Sequence, residues 1–198
     1  MKNNKTIDYY EKNAKAFVER TIDADMSICQ DKFLSLLNAG SYILDAGCGS
    51  GRDSRIFLEK GFHVEAMDAS KEMCKIAAKY IGQSVTCMGF EEVDYESRFD
   101  GVWACASLLH VKKNRLPEIL LKFQRALKSG GIMYASFKYG NMEEERLERF
   151  FSDYNLSEIE NIFLKDDLFE LVDSFETEDV RPDYQDKPWV NIIVRKKN

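Results

Sequence analysis

Gly47, Gly49 and Gly51, with Cys48 and Ser50 between them and Arg52-Asp53 following, form the stretch of this chain best suited to grip a ligand with its main chain. Glycine removes the Cβ atoms that would keep a bound molecule at a distance. A helix starting directly afterwards presents free N–H groups to an anionic part of that molecule. Seventeen residues beyond Gly51 stands Asp68. At the tip of a strand beside the glycine turn, its carboxylate would accept hydrogen bonds from both hydroxyls of a ribose. The spacing is GxGxG, not the GxGxxG of dinucleotide sites, which weakens a nicotinamide reading.

These residues need elements to position them. Residues 42–46 (YILDA) read as a short buried strand ending at the glycines. A helix over 53–60 follows, then a strand over 63–67 that delivers Asp68. Ser70 caps a helix to about residue 80, closed by Gly82. Strands are expected over 84–88, 100–106 and 132–137. Between the last two runs a helix over 112–128, with Leu116, Leu120, Phe123 and Leu127 on one face. Ahead of the first strand, Tyr10, Ala14, Phe17 and Val18 mark one amphipathic helix. Cys29, Phe33, Leu36 and Leu37 mark another, with Gly40 as its C-terminal cap. Beyond residue 139 the rhythm changes. The charged run 143–151 is expected to be helical, as is 156–163. The runs 168–176 and 189–195 read as strands joined through Pro182 and Pro188 and paired antiparallel. The fold class is α/β: a doubly wound, seven-stranded, mostly parallel sheet with an antiparallel C-terminal edge hairpin and helices on both faces.

Composition narrows the functions this scaffold could serve. The chain has 198 residues, 44% of them hydrophobic, and a net charge of −6. Its balance argues against a nucleic-acid footprint, which is normally basic. No apolar run approaches the ~20 residues of a membrane span, and the polar start has no apolar signal stretch. Five cysteines without a CxxC pair, and only His63 and His110 as histidines, suit reduced thiols in a cytoplasmic protein without a metal site. The stretch 141–186 carries 16 acidic and 4 basic residues. It reads as a solvated surface, or else as an acidic lid over a site preferring neutral or cationic ligands.

ILDAGCGSGRDS (43–54), VEAMDASKEM (64–73), FDGVWACASLLHV (99–111) and LKSGGIMYASFK (127–138), in this order and spacing, resemble the class I S-adenosylmethionine-dependent methyltransferases. The likeness runs over about residues 5 to 198. It is nearest to small bacterial members of the methyltransferase-11/25 type, including the tellurite-resistance-like branch. It implies one Rossmann-like domain over 1–198, with residues 1–38 as a helical lid and 139–155 as an acceptor-side insertion. It further implies S-adenosylmethionine as cofactor and S-adenosylhomocysteine as its product. By position, Asp45, Gly47, Cys48 and Gly49 would shape the loop around the methionine moiety, with Arg52 beside it. Asp68 would hold the ribose, and Ala69 and Met73 would flank the adenine, as would Met88, Gly89 and Phe90. Ala104 and Cys105 would end the fourth strand beneath the sulfonium, and Tyr10 and Thr21 would close over the cofactor.

For the acceptor the resemblance points to Phe17, His110, Lys138, Tyr139, Arg146 and Phe150, with Arg181, Trp189 and Asn191 at the rim. His110 is the candidate general base; His63 opens its strand at the wrong end of the sheet. Arg146 and Arg149 stand among glutamates at helical spacing, which ordinary surface ion pairs explain equally well. The expected activity is methyl transfer to an O, N or S nucleophile of a small molecule, by a monomer or homodimer. The competing readings are a nucleic-acid or protein methyltransferase, resting on Lys112, Lys113, Arg115 and the run 195–197, and a non-catalytic binder of the same cofactor.

Overall fold

The computed structural model describes residues 5–181 and 188–197. Pro182, expected to mark the last turn, lies outside the described residues. Two helices come first, α1 (Lys5–Thr21) and α2 (Ser27–Leu34). An alternating run follows: β1 (Tyr42–Ala46), α3 (Arg52–Glu59), β2 (His63–Asp68), α4 (Lys71–Ile81), β3 (Thr86–Cys87), β4 (Phe99–Ala104), α5 (Leu116–Ala126) and β5 (Leu127–Lys138). The C-terminal part comprises β6 (Glu143–Arg146), β7 (Arg149–Ser152), α6 (Leu156–Phe163), β8 (Phe169–Thr177) and β9 (Trp189–Lys196).

Seven strands form one sheet in the order β3-β2-β1-β4-β5-β9-β8. β1 to β5 run parallel; β9 is antiparallel to β5 and β8 antiparallel to β9. The chain therefore reverses its direction of travel across the sheet between β1 and β4. A crevice must open there at the C-terminal strand ends, because the connecting helices leave towards opposite faces.

The central strands are buried on both sides, which is why YILDA and IMYASF are nearly continuous apolar runs rather than alternating ones. Val102 and Ala104 face a core closed by Leu116, Leu120 and Phe123 of α5 and by Ile159 and Phe163 of α6. Trp103, between them, faces the opposite core with Phe33 of α2 and Phe57 of α3. Its indole stacks on the Tyr134 ring at 3.9 Å between centroids.

Four local expectations need correction. The run 143–151 is a hairpin, β6 paired antiparallel with β7, not a helix. Glutamate and arginine favour helices intrinsically, but tertiary contacts override that preference. The Phe150 N–H donates to Thr6 Oγ1 at 3.0 Å, and Ser152 Oγ donates to the Val111 carbonyl at 2.9 Å. The two-residue turn is Leu147-Glu148, with φ of 49° and 63°. Positive φ at both positions is the geometry that lets two strands close tightly. Second, α2 stops at Leu34, and the next turn tightens through Leu36 N–H to Phe33 O and Leu37 N–H to Leu34 O. Gly40 consequently lies in the turn before β1 and caps no helix. Third, α5 starts at Leu116, not at 112, because Pro117 occupies its first turn, where a missing N–H costs nothing. Fourth, β5 already begins at Leu127, which pairs with Phe99.

Candidate functional site

At the switch point a cleft of about 1290 Å³ opens over the tips of β1, β2 and β4. Its floor is tied together by the backbone. The N–H groups of Gly47 and Cys48 both donate to the Met67 carbonyl at 2.9 Å, stitching the glycine turn to β2. Ser107 Oγ donates to the Ala46 carbonyl at 2.7 Å. Gly47 has φ 83°, and a Cβ there would lie 2.5 Å from Ser107 Cβ. Conformation and space both demand glycine at that point. At Gly49 the situation differs: a Cβ would meet nothing within 4 Å, so this backbone faces open cleft.

Asp68 lines the cleft beside that turn. Its Oδ2 accepts the Gly49 N–H at 3.0 Å and its Oδ1 the Ser70 N–H at 2.8 Å. Burial pushes the carboxyl upward, and these backbone donors pull the other way. Each oxygen retains acceptor capacity for a further donor. Ser70 Oγ accepts the Met73 N–H, so the cap of α4 is built from the same turn.

Beneath the loop lies a buried charge cluster. Arg52 grips Asp53 with Nε at 2.8 Å and Nη2 at 2.9 Å. Gln30 Nε2 and Trp103 Nε1 each donate to Asp53 at 2.8 Å. Burial opposes the Asp53 charge, but Arg52 overrides it and holds the carboxyl below its usual range. Arg52 Nη1 also reaches the Thr21 carbonyl at 3.3 Å, so this arginine fastens the end of α1 to the floor and is no surface residue. Asp45 accepts from Ser54 Oγ at 2.6 Å, and burial, reinforced by Asp53, pushes its carboxyl up to about 7.

The cover is made by α1 and the β6–β7 hairpin. His110 sits between them, its Nδ1 2.6 Å from the Phe150 carbonyl and its Nε2 3.0 Å from the Tyr10 hydroxyl. A carbonyl only accepts, so Nδ1 carries the proton and Nε2 takes the one offered by Tyr10. Burial pushes the imidazole down to about 4, with Arg149 and Arg146 adding to the shift against the Phe150 carbonyl. With its lone pair occupied and its basicity lowered, His110 is poorly placed as a general base; it ties cover to cleft. Tyr10 meets Phe17 edge-on at 5.1 Å between centroids. The Arg149 guanidinium lies 4.5 Å from the Tyr9 centroid and 5.1 Å from that of Phe151.

The far rim is a knot around Asp179, which is 3% exposed. Lys138 Nζ is 2.7 Å from its Oδ2, the Arg181 fork spans both oxygens at 2.9 and 2.7 Å, and Trp189 Nε1 donates at 3.0 Å. Burial opposes the charge of Asp179, yet Arg181 and Lys138 hold it well below the usual carboxylate range.

The cleft thus gathers Tyr10, Phe17, Thr21, Asp45, Gly47, Cys48, Gly49, Arg52, Asp68, Ala69, Met73, Met88, Gly89, Phe90 and Cys105, together with His110, Lys138, Arg146, Phe150, Arg181, Trp189 and Asn191. Two expected residues do not join them. Ala104 is wholly buried in the core against α5, because strand alternation turns its neighbour Cys105 to the cleft instead. Tyr139 is 40% exposed and bridges to Tyr154, on the side away from Lys138. Among the lining residues not foreseen are Ser136, Arg149 and Asp179. Ser136 Oγ accepts the N–H of Ala106 at 2.8 Å and secures that residue at φ 50°, a left-handed kink at the tip of β4. Only the left-handed kink has a general signature, and it is geometric, so composition could not reveal it.

Comparison with known proteins places this architecture. Residues 43–131 match a family model described as a methyltransferase domain. The putative methyltransferase YqeM of Bacillus subtilis is 34% identical over 107 residues, covering 48% of this chain and 43% of that protein. A malonyl-[acyl-carrier protein] O-methyltransferase of Hamiltonella defensa is 32% identical over 108 residues, covering 52% and 41%. The chain spans between 39% and 50% of the length of the curated relatives it matches. Among solved structures, the Burkholderia thailandensis 1,6-didemethyltoxoflavin-N1-methyltransferase, with bound 1,6-didemethyltoxoflavin and S-adenosylhomocysteine, superimposes with a TM-score of 0.78 at 22% identity. It covers 97% of this chain and 85% of its own.

Proposed function

We propose that this chain is a class I S-adenosylmethionine-dependent methyltransferase and moves the methyl group of S-adenosylmethionine to an O, N or S nucleophile of a small molecule. The observation that carries the reading is Asp68 standing beside the glycine turn at the switch point, with acceptor capacity still available towards the cleft. The donor set fits the group. Asp68 would hold the ribose; Asp45, Gly47, Cys48 and Gly49 would receive the methionine end; Ala69, Met73, Met88, Gly89 and Phe90 would enclose the adenine. When bound, the sulfonium supplies an electrophilic methyl group.

The work of the chain itself is placement and exclusion of water. Orienting two reactants can account for up to ~7–11 kcal/mol of a barrier. Residues 1–38 would act as the lid and 139–155 as the acceptor-side insertion, within one domain. Thr21 and Tyr10 would close the cofactor side; Phe17, His110, Arg146 and Phe150 would face the acceptor, with Lys138, Arg181 and Trp189 at its far rim. No helix among the described residues is long and apolar enough to cross a membrane. The described cysteines are free thiols, which supports a cytoplasmic setting. The names of relatives, a malonyl-[acyl-carrier protein] O-methyltransferase and a 1,6-didemethyltoxoflavin-N1-methyltransferase, support a small acceptor group here.

Calorimetry with S-adenosylmethionine and S-adenosylhomocysteine tests the reading. Both are expected to bind at one site, and absence of heat from either at millimolar concentration would overturn it.

A further inference from the structure

We infer that the acceptor carries a carboxylate and that Arg149 is the residue that selects it. The inference rests on the methyltransferase reading and concerns the cover of the same cleft.

The cations lining the cleft are mostly spoken for. Arg52 is held by Asp53, Lys138 and Arg181 by Asp179, and Arg146 by Asp153 and Glu144. Lys5 pairs with Glu145 and Arg115 with Glu118. Lys112 has no carboxylate partner among the described residues but is exposed, so water solvates it. Arg149 differs from all of these. It has no carboxylate partner among the described residues. Its one hydrogen bond is a long one, Nη1 to the Tyr10 hydroxyl at 3.5 Å, and its Nε is buried without an acceptor. The Tyr10 proton is directed to His110, which leaves the phenolic oxygen to accept from Arg149.

A guanidinium presents five donors in a planar fork, and leaving them unmet away from water is costly. Here the plane is held by the rings of Tyr9, Tyr10 and Phe151, so the fork is oriented before anything binds. A carboxylate matches two parallel N–H groups of such a fork, whereas a neutral amide supplies a single oxygen and no charge. Among the described residues of 141–181, no acid pairs with Arg149. Asp153 and Asp179 are engaged by Arg146, Lys138 and Arg181, while Glu176 and Glu178 sit exposed at the rim. The inference runs against the alternative reading of the acidic stretch as a lid preferring neutral or cationic ligands.

The test is thermal-shift and calorimetric titration of the full chain with matched pairs of small carboxylates and their carboxamides, such as malonate with malonamide and benzoate with benzamide. Each pair is run with and without saturating S-adenosylhomocysteine. Carboxylates are expected to bind at least about tenfold tighter than their amides. Arg149→Gln is expected to erase that preference while leaving the affinity for S-adenosylhomocysteine within about threefold of wild type. Should Arg149→Gln fail to fold, Arg149→Lys, which keeps the charge and loses the fork, is expected to reduce the preference severalfold. Equal binding within every pair, or a preference that survives loss of the guanidinium, would overturn the inference. A protein that ignores S-adenosylhomocysteine yet prefers carboxylates through Arg149 would instead overturn the methyl-donor reading alone.

Discussion

The floor and the cover of the cleft hold their residues by different means. On the floor, main-chain groups do the holding: Gly47 and Cys48 to the Met67 carbonyl, Gly49 and Ser70 to Asp68. Its buried charges, Arg52 and Asp53, are matched one to one. On the cover, side chain meets side chain across elements far apart in sequence, as in Tyr10 with His110 and Arg149 with the Tyr9 and Tyr10 rings of α1. There, among the described residues, Arg149 has no carboxylate partner. A floor set by backbone geometry suits a ligand that never changes; a cover made of rings and a spare cation can be retuned without disturbing the sheet.

The sharpest way to break this contrast is Gly47→Ala. It forces a side chain into a left-handed backbone and against Ser107 Cβ, at a cost of about 2–5 kcal/mol. Urea denaturation should show the loss, with cofactor binding lost alongside it. Asp68→Ala should weaken S-adenosylhomocysteine by at least about tenfold in calorimetry while the protein stays folded; unchanged affinity would remove Asp68 from the ribose. On the cover, Tyr10→Phe leaves the buried Nε2 of His110 without its donor and should cost about 1–3 kcal/mol in urea.

Acid–base behaviour offers a further comparison. Asp45, raised to about 7 by burial, holds a proton in the folded state that the unfolded chain gives up near the ordinary carboxylate value of 3.8. Its contribution is present below that value and lost as pH rises through about 7. His110, lowered to about 4 from 6.5, works oppositely: the unfolded chain binds its proton first, so stability falls as pH drops from 6.5 towards 4. The two effects oppose each other between those limits, and Asp45 acts alone above 6.5. Asp45→Asn should therefore gain on wild type in urea midpoint between pH 6.5 and 8. The smallest effect is expected from Lys5→Ala, whose partner Glu145 is exposed: no measurable change in melting temperature.

How legible each region was in the sequence follows from the same contrast. The GxGxG turn, Asp68 and the capping Ser70 are local devices, and local devices are written in consecutive residues. The parallel strands were visible because burial on both faces leaves apolar runs. The hairpin was not. Glu143, Glu144, Glu145, Arg146 and Arg149 carry helical propensity, and what outweighs it is contact with Thr6 and Val111, far away in sequence. Of the neighbouring pairs Ala104–Cys105 and Lys138–Tyr139 only Cys105 and Lys138 reach the cleft, because the parity of a strand at its tip is set by where pairing ends, which no spacing rule supplies. By sequence Arg149 reads as an ion-pair partner of its glutamate neighbours; in the fold Glu144 pairs with Arg146 and Glu145 with Lys5.

Asp53 joins Trp103, at the heart of one hydrophobic layer, to Arg52 and thence to the end of α1. An indole repacked for thermal robustness would shift the carboxylate it donates to, and with it the strap across the ligand space. Selection for hardiness in that layer should therefore be screened for ligand affinity in parallel, since the two traits share a joint.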